Sequence, residues 1–366
     1  MKKFIDVHVP ISACNFNCKY CYVAHEGNRN QEKTFFKYDI DTIKKALSSK
    51  RLGGICHFNV CGEGETLIPK EIVPIVRVML ENGHYVMIVT NGTLKNRFLE
   101  FSKFPLELRK HLGFKFSFHY MELMEKGMFD IFNENVELVK NSGMSYSIEM
   151  TPTDELEPYI DEIIDYCNEH YGAPCHVTIP RNMNTNNIEL LSKHSIDEFY
   201  NIWKKFDSPL LDFKYELWGI KRTEYCYAGV WSGLLNISNG DFSSCYTGRI
   251  HQNIFEHVDK PINFIAIGCN CKLPHCYNGH SFLSMGNIPE LNCYTYNQLR
   301  DRVTSDNNHW LNDDMRYFLS ERLDEDNTIW NNKQKINNQI KKNFFYIKTI
   351  INKIYSGVNS ENRKNK

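Results

Sequence analysis

Three cysteines stand close together near the start of the chain, Cys14, Cys18 and Cys21 in the run SACNFNCKYCYV, spaced CxxxCxxC. Such thiolates hold iron or zinc. A [4Fe–4S] cluster normally takes four cysteine ligands, so a three-cysteine site leaves one iron open to a small molecule. The alternative is half of a zinc knuckle, although structural zinc prefers a closed tetrahedron. The extended apolar stretch Phe4–Val9 precedes the triplet, and spacing alone needs such context before it becomes a site.

Two turns further along supply more of it. Strand-like Cys56–Val60 runs into Cys61-Gly62-Glu63-Gly64-Glu65-Thr66-Leu67, and the strand-like Tyr85–Thr90 ends in Asn91-Gly92-Thr93. Glycine is needed where backbone approaches a ligand closely or takes positive φ. In this order, the cysteine triplet with aromatic Tyr20 before its last member, the Gly-Glu turn and the Thr-Asn-Gly turn resemble the motifs of the radical S-adenosylmethionine (SAM) superfamily. The resemblance implies that Cys14, Cys18 and Cys21 hold a [4Fe–4S] cluster whose open iron takes the amino and carboxylate groups of SAM. It further implies that Gly62, Glu63, Gly64 and Glu65 hold the SAM amino group and that Tyr20 and Asn91 lie at the cofactor. The family's reaction is reductive cleavage of SAM to a 5′-deoxyadenosyl radical, which abstracts hydrogen from a substrate.

The elements that must position these residues alternate in type. Candidate strands are Phe4–Val9, Cys56–Val60, Tyr85–Thr90, Phe114–Phe118, Ser145–Met150 and Cys175–Ile179. Between them, Ile40, Ile43 and Leu47, then Ile160, Ile163, Ile164 and Cys167, recur at helical spacing. Six such units predict an α/β fold with a parallel sheet, in agreement with the open (β/α)6 TIM-like partial barrel of the family, over residues 1–215. Chemistry in parallel barrels sits at the C-terminal strand ends, which nominates Ser117, His119, Glu149 and Arg181. Ser117 and Glu149 are candidate SAM contacts, and His119 and Arg181 candidate catalytic or substrate groups; Arg181 suits bidentate pairing with a carboxylate or phosphate. The competing reading is that such side chains satisfy loop backbone.

A second cysteine group begins at Cys226 and continues through Cys245, Cys269, Cys271 and Cys276. Asn239-Gly240 between LLNIS and FSSCY is a hairpin signal. This stretch resembles the SPASM and twitch extensions of radical SAM proteins, small β-hairpin and helix domains holding auxiliary Fe–S clusters. The resemblance implies one auxiliary cluster on residues 221–300, with Cys226, Cys245, Cys271 and Cys276 as ligands. Cys271 is preferred to Cys269, Cys293 is a late candidate, and a four-thiolate zinc site is the alternative. The array departs from a full SPASM domain, which has more cysteines. Cys56, Cys167 and Cys175 read as packing residues, and Cys61 as packing or a local donor.

The chain has 366 residues, 42% hydrophobic and 13% aromatic, enough for a sizeable core. A net charge of −1 argues against bulk nucleic-acid binding. No run of 18 apolar residues appears and the start lacks a secretory signal, which predicts a cytoplasmic protein. Thirteen cysteines there point to metal or catalysis rather than disulfides. Residues 301–366 read as a polar helical tail with a disordered end; its basic stretch carries Ile336, Ile340, Phe344 and Ile347 at helical spacing, expected to pack on the protein itself rather than on a membrane. The resemblance implies a reductant such as flavodoxin or ferredoxin, and a peptide or protein substrate. Only a short stretch precedes Cys14, which leaves no room for a leader-binding domain and counts against a peptide. A sugar, aminoglycoside or nucleotide-linked small molecule is the alternative substrate. An Fe–S or zinc regulator without catalysis would leave the two turns unexplained.

Overall fold

The computed structural model describes residues 1–21, 34–248, 251–269 and 271–347. Its frame is a run of parallel strands, β1 (Lys3–Val9), β2 (Cys56–Gly62), β3 (Tyr85–Thr90), β4 (Leu112–Ser117), β5 (Ser145–Met150) and β6 (His176–Val177), each pairing with the next. A small hairpin, β7 (Arg181–Asn182) with β8 (Glu189–Leu190), follows. Then come β9 (Ser232–Asn236), β10 (Asp241–Ser243) and β11 (His251–Asn253). Strand β9 pairs in parallel with β1, and β10 and β11 add antiparallel, giving one nine-stranded sheet in the order β11-β10-β9-β1-β2-β3-β4-β5-β6. The sheet is open, a partial barrel.

Alternation along the strands decides what faces what. On β4, Phe114 and Phe116 turn outward to the helices, where Phe98 lies 5.1 and 5.4 Å from them, ring to ring. Lys115 and Ser117 between them turn inward. Helix Ile160–Tyr171 buries Ile160, Ile163, Cys167 and Tyr171, one stripe at three- and four-residue spacing, and stops at Gly172 with φ +74°. Fully burying each aromatic or aliphatic side chain in this layer contributes roughly 1.5–3 kcal/mol.

Four strands differ from expectation at their ends: β1 begins one residue earlier and β2 runs two residues further. Strand β4 begins two residues earlier, at Leu112, and β6 keeps only His176 and Val177 of the expected Cys175–Ile179. Thr178 still donates its N–H to Met150, but Pro180, which has no N–H, ends the ladder. The N-terminal end of the barrel is closed by Phe4, His57 and Tyr296, with Phe282 edge-on to Phe4. Polar-looking sequence after residue 300 contributes to this cover: Trp310, Leu311, Met315, Phe318 and Leu319 are buried, and the Trp310 indole donates to the Tyr171 carbonyl at 2.9 Å.

The helix over 332–347 departs from its expected packing. It docks through Asn338, which brackets the Ala266 backbone at 2.9 and 3.2 Å, and through Lys342 on the Ile267 carbonyl. Ile336, Ile340, Phe344 and Ile347 are exposed, because the polar face, not the apolar stripe, makes the contact. No helix among the described residues is long and apolar enough to cross a membrane. The disordered end expected beyond residue 347 lies outside the described residues.

Candidate functional site

The loop after β1 carries Cys14, Cys18 and Cys21 to the C-terminal strand ends, where the other two turns meet it. Gly64 donates its N–H to the Ile11 carbonyl and Glu65 donates to Ala13 at 2.9 Å. A Cβ on Gly64 would lie 2.1 Å from the Ala13 oxygen, so only glycine fits against the loop. From the turn after β3, the Asn91 amide donates to Asn15 at 2.7 Å and reaches the Cys14 sulfur at 3.9 Å, while Asn15 donates to the Thr93 hydroxyl at 2.8 Å. Asn17 donates its N–H to Glu122 at 3.0 Å. Residues far apart in sequence thus fix the loop from three sides.

Each expected cofactor residue has a definite place. Glu65 is buried and accepts from the Thr90 hydroxyl at 2.7 Å, from Asn91 N–H at 2.8 Å and from Leu67 N–H at 2.9 Å. It clamps the second turn to the third, and these bonds oppose the burial that raises its pKa. Glu63 is the more open carboxylate and meets His8 Nε2 at 3.0 Å. Gly62 donates to the Thr66 hydroxyl at 2.8 Å. Tyr20 and His119 share a hydrogen bond between the phenol and Nδ1, and Phe16 packs edge-on to the same ring. Burial pulls the His119 pKa down to about 4, so the ring is neutral near pH 7. Ser117 and Glu149 are direct neighbours across β4 and β5.

Glu149 forms an ion pair with Arg300, a fully buried residue from the C-terminal segment. Burial works to raise the carboxyl pKa, but Arg300, Lys115 and Lys214 outweigh it and hold it low. Arg181 donates to Asn278 at 3.0 Å and to the Tyr277 carbonyl at 3.3 Å, with its guanidinium over the Tyr277 ring. His119 and Arg181, both read as catalytic candidates, are therefore apart in role: the first lies against the cysteine loop, the second faces the second cysteine group.

That second group is brought together. Cys226, Cys245, Cys271 and Cys276 line one cavity. Cys226 is fixed by a two-way backbone bridge to Gly268, and Cys245 lies two residues beyond β10. Burial pushes the Cys276 thiol well up, with Cys245, Cys226 and Cys271 adding to the shift. Cys269 is exposed, and Cys293 donates its thiol to the Leu283 carbonyl at 3.2 Å. Tyr246, next to Cys245, reaches into the barrel to donate to Asp6 at 2.6 Å, and Asn59 donates to the same carboxylate at 2.7 Å.

Three cysteines on one loop and four around one cavity are thiolate donor sets of the kind that hold iron–sulfur clusters, and a four-thiolate set suits zinc as well. Among the described residues, Asp154, Glu157 and His194 also bring their ligand atoms within 4.8 Å of one another. Residues that sequence reasoning missed are Asp6, Lys115, Lys214, Arg300 and Tyr246. Lys115 inside LGFKFS and Lys214 on the apolar face of PLLDFKYEL carried a signal, a lone cation among core residues; Arg300 carried none.

The family model described as "Radical SAM superfamily" matches residues 9–167. No curated protein matches in sequence. Among solved structures, Streptococcus suis SuiB bound to S-adenosylmethionine is similar at TM-score 0.51 and 16% identity, over 70% of this chain and 65% of that one. SuiB bound to precursor peptide SuiA is similar at TM-score 0.49 and 17% identity, over 70% and 64%. Native anSMEcpe with bound AdoMet follows at TM-score 0.47 and 15% identity, over 69% and 78%. The chain thus spans just under two thirds of SuiB, and at these identities the likeness concerns the fold. Residues 9–167, which hold the cysteine loop and the two turns that grip it, match the radical SAM superfamily.

Proposed function

We propose that this chain is a radical SAM enzyme that modifies a peptide or protein substrate and carries one auxiliary cluster. The observation that carries the reading is the convergence of the Gly-Glu and Thr-Asn-Gly turns on the loop of Cys14, Cys18 and Cys21 at the strand ends. When bound there, a [4Fe–4S] cluster supplies the electron that cleaves SAM to a 5′-deoxyadenosyl radical. The chain's own part is to bind and orient. Asn91 and Asn15 set the Cys14 side of the loop, Glu65 locks the turn that would hold the SAM amino group, and Glu63 offers the open carboxylate. Ser117 and Glu149 stand at the next strand ends for the rest of SAM. Cys226, Cys245, Cys271 and Cys276 would hold the auxiliary cluster, beside Tyr246 and Tyr277. The reductant is a small carrier such as flavodoxin or ferredoxin, in a cytoplasmic setting.

Support for a peptide comes from SuiB, which shares the fold and is also solved with a precursor peptide. Anaerobically reconstituted protein should release 5′-deoxyadenosine from SAM under a strong reductant, and Cys→Ala at Cys14, Cys18 and Cys21 together should abolish it. Release that survives the triple substitution would sink the reading.

A further inference from the structure

The helix over 332–347 has two faces of opposite character. Lys335, Asn338, Lys342 and Phe345, spaced three, four and three apart, are its residues that are not fully exposed. Three of them make the contact described above: Lys335 sits over the Tyr225 ring at 4.8 Å, Asn338 brackets Ala266, and Lys342 donates to the Ile267 carbonyl. Ile336, Ile340, Phe344 and Ile347, spaced four, four and three apart, are each between 55% and 65% exposed. At about 3.6 residues per turn the two sets lie on opposite sides of the axis, so the apolar stripe points straight away from the protein over about 16 Å. A contiguous apolar face of this kind marks a place where something docks.

Charge says what docks. Residues 332–347 hold four lysines, no arginine and no acidic residue, and the sequence of 348–366 adds five basic residues against one acidic, in a chain whose net charge is −1. Positive charge is therefore concentrated at this helix. Lys333 stands about one turn before Ile336 and Lys341 follows Ile340, and both are exposed. Lysine stems lie along apolar surface while the ammonium reaches outward. Protein interfaces favour arginine and aromatic anchors and are depleted in lysine. A second copy meeting this one stripe to stripe would bring the same lysines together, like charge against like. An aliphatic stripe flanked by lysines instead suits an anionic lipid surface, where the apolar side chains sink below the headgroups and the ammonium groups meet them.

We infer that the helix over 332–347 is a docking surface for an anionic bilayer, which it meets through Ile336, Ile340, Phe344 and Ile347, with Lys333 and Lys341 on the lipid headgroups. The contact is peripheral: the helix lies on the bilayer and does not cross it. The backbone behind the helix, Ala266 and Ile267, runs directly into Gly268, the bridge partner of Cys226. Docking therefore turns the auxiliary side of the molecule toward the lipid. The inference stands on the helix alone and is independent of the radical SAM reading.

The test uses reconstituted full-length protein and two kinds of vesicle, phosphatidylcholine alone and an equal mixture of phosphatidylcholine and phosphatidylglycerol, with the bound fraction read by flotation. Binding to the mixed vesicles is expected, at least about tenfold tighter than to phosphatidylcholine, and it should weaken as potassium chloride is raised. Ile340→Ser combined with Phe344→Ser should weaken it at least about tenfold, and Lys333→Gln combined with Lys341→Gln by a similar factor. All four positions are exposed, so the melting temperature should not move in either variant. No binding to the mixed vesicles, or undiminished binding by the Ile340 and Phe344 variant, would overturn the inference. So would a lowered melting temperature in that variant, which would show the stripe packed on the protein, or lipid-free dimerisation that the variant abolishes, which would assign the face to a second copy. Binding to polyglutamate without binding to the mixed vesicles would assign it to an acidic protein and overturn the inference equally.

Discussion

The two cysteine groups sit on scaffolds of opposite kinds. The loop of Cys14, Cys18 and Cys21 is gripped by turns from two neighbouring strands, over a layer of buried aromatics and aliphatics. Cys226, Cys245, Cys271 and Cys276 hang on three-residue strands, a two-way backbone bridge and the four-residue helix Gly279–Phe282. One site is set among regular strands and their turns. The other has little regular structure of its own, and on the proposed reading as a metal domain its binding energy would be folding energy.

Metal removal should break the symmetry between them most visibly. Limited proteolysis of chelated, metal-free protein should cut first between residues 221 and 295 and spare the six-unit barrel. Equal resistance of that stretch with and without metal would show that its packing stands unaided.

A smaller effect should come from the barrel alone. His84 is fully buried, accepts from Cys56 N–H on Nδ1 at 3.1 Å and uses Nε2 toward the Leu47 carbonyl at 2.7 Å. That pattern requires the neutral ring with its proton on Nε2, and burial pulls the pKa from 6.5 down to about 4. A base with a depressed folded pKa binds its proton preferentially when unfolded. Its stability is therefore whole above pH 6.5 and lost as pH falls toward 4, by up to about 1.4 kcal/mol per pH unit. Denaturant titrations across that window should show the slope, and His84→Asn should flatten it. An unchanged slope would mean that other buried histidines, such as His57, carry the acid sensitivity.

The smallest expected change sharpens the ligand set. Cys293 spends its thiol on a backbone carbonyl, so Cys293→Ala should leave iron content unchanged and cost less than about 1 kcal/mol. Loss of iron in that variant would place it among the ligands.

How far the sequence could be read followed the same division. Strands β1, β2, β3 and β5 were legible because each is an apolar run bounded by turn residues, and the motif turns follow them directly. Strand β6 was overread, since apolar residues near Pro180 belong to the core without belonging to the ladder. The helix over 332–347 was misread because periodicity locates an apolar stripe but does not say which face the rest of the molecule meets; Asn338 decided that. The cations in the barrel were illegible for a related reason. Lys115 and Lys214 become meaningful only once alternation and helix phase turn them inward, and Arg300 arrives from a segment with no periodic signal at all. Glu65 looked like a ligand by motif, and only its three bonds reveal that it also joins two turns.

The pairing of Phe4 with Ser232 sets an order of events during synthesis. Strand β1 lies in the middle of the sheet, yet one of its two partners is made only after the entire (β/α) series. Until residues 232–236 leave the ribosome, KFIDVHV presents an open edge of backbone donors and acceptors flanked by buried-type side chains. Contacts of such long sequence separation close slowly. The nascent barrel therefore passes through a half-paired state with a sticky edge, and β9, the first strand of the auxiliary segment, is what seals it.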